Sequence, residues 1–128
     1  MVDGVARIRA SGQMPFQLVA DYCWNTALDT DNKGLWLAAV LGALDTSRAQ
    51  LEYTFAKIDK DASVGAFNAD DFYWATGWEG HRGDFGLAMG RGNSLHGIAQ
   101  WQRFKDSPDP ALRDLWVKRF RLEWRYVF

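Results

Sequence analysis

The sequence predicts an all-α fold, a compact bundle of five to six helices around a glycine-rich irregular loop or small hairpin at about residues 77–97. Three observations predict it. Apolar residues recur at helical spacing early in the chain and again near its C-terminal end. Clusters of turn-forming residues separate the periodic stretches at 29–34, 59–65 and 107–110. Seven of the twelve glycines (Gly77, Gly80, Gly83, Gly86, Gly90, Gly92 and Gly97) fall in one stretch, and glycine at that density signals turns or close backbone approach.

Residues 1–13 carry little periodicity and read as an arm before a single domain spanning 1–128. Pro15 suits the first turn of a helix, and Phe16, Val19, Ala20, Cys23 and Ala27 follow on one helical face. The run from Leu35 to Leu44 is apolar almost throughout, as a buried central helix is. Asp45, Thr46 or Ser47 caps a third helix in which Leu51, Phe55 and Ile58 share a face. Asn68 caps a short fourth helix whose early acids, Asp70 and Asp71, match the helix dipole, and Gly77 ends it. Asn93 or Ser94 caps a fifth helix ending near Lys105. Beyond the Ser-Pro-Asp-Pro break, Leu112, Trp116, Phe120, Trp124 and Val127 give the last helix one apolar face.

A chain of 128 residues with 48% hydrophobic and 15% aromatic content buries a core without metal or disulfide staples. The net charge of −1 hides a gradient: residues 21–84 carry eleven acids and five bases, residues 103–128 seven bases and four acids. That basic end is too modest for a nucleic-acid binder. The single cysteine, Cys23, excludes an internal disulfide and sits on an apolar helical face, a poor setting for a nucleophile. No secretion signal opens the sequence, and the longest apolar run is ten residues, too short for a membrane-spanning helix. The expectation is a soluble chain without a membrane partner, cytoplasmic or virion-associated.

Four constellations bear on chemistry. Asp59, Asp61 and Ser63, followed by Asp70 and Asp71, resemble an EF-hand loop, but Val64 stands where the turn glycine belongs and no glutamate closes the loop. A solvated turn is the expected reading, and Asp29 to Gly34 is read the same way. His81, His96, Glu79 and Asp84 lack any metal-ligand spacing, so no metal and no cofactor is expected. Gly90-Arg91-Gly92-Asn93-Ser94 lacks the Lys-Ser/Thr of a phosphate loop.

The fourth is Glu79 at the end of a helix, then a glycine-rich hairpin, then Gly97-Ile98-Ala99-Gln100-Trp101. This segment resembles the lysozyme-like peptidoglycan hydrolases of phage tails. The resemblance implies Glu79 as general acid, its pKa raised beside Trp78, with Gln100 and Trp101 shaping a sugar groove and peptidoglycan as substrate. The leading expectation is instead a non-enzymatic, phage-like assembly module that meets a protein partner or its own copies. Its binding residues are Trp78, His81, Asp84, His96, Gln100, Trp101, Trp116 and Trp124, and residues 124–128 contribute to the contact.

Overall fold

A computed structural model describes residues 1–62, 76–90, 92–107 and 109–126. It corrects the predicted fold class. The described residues contain no helix; they form seven strands, β1 (Val2–Ala10), β2 (Phe16–Trp24), β3 (Lys33–Ala43), β4 (Ala49–Ile58), β5 (Trp78–Gly90), β6 (Asn93–Phe104) and β7 (Trp116–Tyr126). These pair antiparallel in sequence order as a single meander. The expected arm at 1–13 carries β1, and the expected helices at 16–27, 35–44, 47–58, 93–105 and 112–127 carry β2, β3, β4, β6 and β7. The fourth expected helix, 69–76 with Asn68 as its cap, lies outside the described residues but for Thr76, as do Ser63, Asp70 and Asp71 of the calcium-like loop.

The physical reason is a coincidence of periods. A spacing of four residues is one helical turn, but it is also two strand repeats, so Trp116, Phe120 and Trp124 share a face in either geometry. What separates the two is position i+2. In β7, Lys118 and Leu122 fill the intermediate places on that face and Tyr126 extends it, while Val117, Arg119, Arg121, Glu123 and Arg125 take the other. The glycine-rich stretch is likewise strand β5 and the start of β6, with two residues, 91 and 92, between them. Within β5, Gly80, Gly83 and Gly86 are ladder residues. Gly90 and Gly92 have positive φ, and the register shifts by one residue between Ala88 and Gly90, a β-bulge. Gly42 has φ 79° next to the β3–β4 turn, where a Cβ would strike the Ala49 carbonyl oxygen.

Connections alternate in length. At one end of the sheet the links β1–β2, β3–β4 and β5–β6 have five, five and two residues. At the other end β2–β3, β4–β5 and β6–β7 are joined by eight, nineteen and eleven. Strands β1 and β7 make no contact with each other, so each leaves an edge of the sheet without a paired neighbour among the described residues.

Candidate functional site

Registering the strands sorts every side chain onto one of two faces. The first carries Ile8, Leu18, Leu37, Leu51, Phe85, Leu95, Phe120, Leu122 and Trp124, with Ala6, Ala20 and Ala39 among them. The second carries Asp21, Glu52, Thr54, Arg82, Asp84, Ser94, His96, Gln100, Gln102, Arg119, Arg121, Glu123 and Arg125. Their burial is the reverse of a water-soluble sheet. On the apolar face Phe120, Leu122 and Trp124 are 76%, 77% and 64% exposed, whereas on the polar face Gln102, Gln100 and His96 are 0%, 2% and 4% exposed. The two faces of a flat single layer are about equally accessible, so this difference means that the sheet curls with its polar face concave.

The polar face holds a continuous charge ladder. Arg82 reaches Glu52 on β4 at 3.2 Å and Asp84 on its own strand at 2.9 Å. Asp84 also meets Arg125 of β7 at 3.4 Å and His96 Nδ1 of β6 at 2.8 Å. A carboxylate only accepts, so Nδ1 donates to it, and His96 Nε2 faces the Ser94 hydroxyl at 3.1 Å. Gly86 makes room for this ring: a Cβ there would lie 2.7 Å from His96 Cε1. Glu123 pairs with Arg125 at 2.8 Å and Arg121 at 3.2 Å, and Arg119 donates to Gln100 Oε1 at 2.7 Å. The hydrogen bond from Arg125 holds the Glu123 carboxyl below its ordinary value. Burial works against the Arg125 charge, but Glu123 and Asp84 outweigh it and raise that group. Toward the long-loop end the same face closes with an apolar cluster of Ala56, Ile58, Ala62 and Trp78, against which Cys23, Trp36 and Phe104 pack. Burial there pushes the Cys23 thiol up, the direction of an inert cysteine.

The apolar face keeps its charges at the long-loop end. Glu79 lies between Lys57 and Arg103 in the ladder and pairs with Arg103 and, at 2.8 Å, with Lys105. Burial alone would raise its pKa, but these two cations more than offset that and hold it below the ordinary carboxylate value. This is the opposite of what protonating a leaving group requires. Arg103 stacks over Trp116 at 5.1 Å. One rung further in, His81 accepts or donates at 2.7 Å with the Tyr53 hydroxyl and stacks on Trp101 at 5.6 Å.

The eight expected binding residues therefore divide. Trp78, Asp84, His96 and Gln100 belong to the polar face; His81, Trp101, Trp116 and Trp124 belong to the apolar face. Gly97–Trp101, expected to open a helix, lies inside β6. Arg82, Ser94, Glu52, Glu123, Arg119, Arg121 and Arg125 complete the ladder without having been singled out as a site. Strict alternation in Phe120-Arg-Leu-Glu-Trp-Arg-Tyr126 was the signal that would have found Arg121, Glu123 and Arg125. Among the described residues no group of three or more His, Cys, Asp or Glu side chains is placed to hold a metal ion. No family model, no curated protein and no solved structure matches this chain.

Proposed function

We propose that this chain forms a membrane-spanning β-sheet, one wall of a β-barrel, with lipid against its apolar face and an aqueous interior along its polar face. The inverted burial carries the reading: the charged and amide side chains lie on the concave side, and the large apolar ones point outward. Leaving Phe120, Leu122 and Trp124 in water forgoes roughly 1.5–3 kcal/mol each, which a hydrocarbon surrounding restores. Strands of 9–13 residues match the 9–11 that a tilted strand needs to cross a bilayer. Short connections at one end of the sheet and long ones at the other are the habit of transmembrane barrels. Tyr22, Trp24, Trp101 and Trp116 lie toward the long-loop end of the apolar face and Trp124 and Tyr126 toward the other, the levels at which amphipathic rings meet headgroups.

The expectation of no membrane rested on a helix criterion, to which alternating strands are invisible. The expectation that Trp116 and Trp124 meet something outside the domain is kept, with lipid as that something. Open sheet edges do not persist in hydrocarbon, so further strands pair with β1 and β7 in the assembled barrel. The test is cysteine accessibility in a Cys23→Ser background. Cysteines replacing Leu37, Leu51 or Leu122 react with a water-soluble maleimide in denaturant, but are shielded once the protein is in phosphatidylcholine vesicles. Full reactivity in vesicles, or a monodisperse protein without detergent, would sink the reading.

One observation favours a second reading, acyl transfer at Ser94. Ser94, His96 and Asp84 stand in the order and spacing of a nucleophile, base and orienting acid, and Ser94 borders a pocket of about 610 Å³ beside Arg48 and Asn93. Labelling of Ser94 by a fluorophosphonate, lost in His96→Ala, would carry it. An unlabelled serine leaves the three residues as part of the charge ladder.

A further inference from the structure

The apolar face is not uniform. A groove of about 510 Å³ crosses it from β1 to β5. Its floor is set by small residues, Ala6, Ala20 and Ala39, between the larger Ile8, Leu18 and Phe55. The groove runs obliquely with respect to the two rims. Ile8 lies two residues from the short-turn end of β1, whereas His81 lies three from the long-loop end of β5. His81 is its one ionisable lining residue apart from Tyr53, to which it is hydrogen-bonded.

Basic side chains stand around the His81 end. Lys57 sits on β4 next to Phe55, the partner of His81; Lys118 sits on β7 opposite Trp101, the other partner of His81. With strands about 4.8 Å apart, both lysine Cα atoms lie on the order of 10 Å from that of His81, within reach of an extended side chain. Among the described residues neither lysine makes an ion pair, whereas Arg103 and Lys105 already hold Glu79. At the short-turn end the corresponding rungs (Phe16, Leu41, Leu51, Leu87 and Leu95) carry no charge. The cationic rim is thus confined to one end of the apolar face, and the groove leads to it.

We infer that this face binds one anionic phospholipid, its acyl chain in the alanine-floored groove and its headgroup phosphate between Lys57 and Lys118 beside His81. The inference rests on the membrane reading and adds to it a lipid class and a leaflet, that of the long loops. An apolar channel fits a chain, and two lysines not otherwise engaged fit a phosphate better than a zwitterionic headgroup whose own amine offsets its charge. Each lysine at a lipid surface changes anionic binding about fivefold.

The experiment uses the native protein in phosphatidylcholine vesicles doped with a minor fraction of brominated phosphatidylglycerol or, separately, brominated phosphatidylcholine, read by tryptophan quenching at Trp101 and its neighbours. The anionic brominated lipid should quench more strongly. The pair Lys57→Gln and Lys118→Gln should reduce that preference more than tenfold, and Ala20→Leu with Ala39→Leu, which fills the groove, should weaken it with the lysines intact. The pair Arg7→Gln and Arg9→Gln, equal in charge but on the other face, should leave it unchanged. Equal quenching by both lipids in the wild type overturns the inference and leaves the membrane reading standing, as does a preference that survives loss of both lysines. Quenching by neither lipid removes both. Loss of the preference on adding inorganic phosphate overturns the lipid in favour of a free anion.

Discussion

Glu79 and Asp84 show how one residue type takes different duties on opposite faces of one strand. Glu79 serves the rim of the apolar face through Arg103 and Lys105. Its folded-state pKa lies below the ordinary 4.5, so its contribution to stability is full at neutral pH and is lost as pH falls through and below about that value. Glu79→Gln should therefore lower stability at pH 7 by about 1–2 kcal/mol and flatten the acid limb of a urea-midpoint-versus-pH profile. An unchanged limb would assign the acid sensitivity elsewhere. Asp84 gathers Arg82, Arg125 and His96; without its charge Arg82 keeps Glu52 and Arg125 keeps Glu123, so Asp84→Asn should cost about 1–3 kcal/mol, the loss of charge-assisted hydrogen bonds. Gly86→Ala tests the seat of His96 without touching charge. The added methyl meets the ring at 2.7 Å, and a loss of about 1–3 kcal/mol is expected from overpacking, with the imidazole NMR resonances shifted.

At the scale of the strand, the decisive property is which face a substitution lands on. Leu122 is among the most exposed side chains of the sheet. In a water-soluble sheet Leu122→Arg would change stability by less than about half a kcal/mol. On a lipid face near the middle of the hydrocarbon it should cost about 2–4 kcal/mol. Guanidinium titration of folding into vesicles separates the two outcomes, and a neutral result would return the apolar face to water or to a protein partner. The same strand shows what the sequence made legible. Residues 120–126 alternate apolar and charged without a break, and Ser94, His96, Gln100 and Gln102 alternate with Leu95, Gly97, Ala99 and Trp101 in β6. Those signals were outweighed where both faces of a strand hold apolar residues. In β2, Val19 and Cys23 stand on the polar face, and in β3 Trp36, Ala38 and Val40 do, so each reads as an amphipathic or buried helix. The glycines added to the confusion. In β5, Gly80, Gly83 and Gly86 occupy ladder positions, Gly86 making room for His96, and nothing in their spacing distinguishes that from a loop. The residues expected to bind a partner were legible singly in the sequence, but their division between two faces follows only from register.

For the whole molecule the governing constraint is the sheet's two free edges. Seven strands in a strict meander leave β1 and β7 running in the same direction, so direct pairing between them would be parallel in an otherwise antiparallel sheet. An odd number of additional strands restores antiparallel pairing at every seam and makes the total even, the usual rule for bacterial barrels. It also abolishes the edges, whose unpaired N–H and C=O groups would each cost several kcal/mol in hydrocarbon. A covalent probe decides whether seven strands close alone. In a Cys23→Ser background, Val5→Cys on β1 and Arg121→Cys on β7 place two thiols on the polar face of the two edge strands. A disulfide needs Cα atoms within about 7 Å, and β1 and β7 make no contact. Under mild oxidation in membranes, the double variant should give no bond within one chain, while either single variant becomes crosslinkable to whatever strand adjoins that edge. A rapid intrachain disulfide with unchanged folding would show that the seven strands close on themselves, and the added strands would then have to be given up.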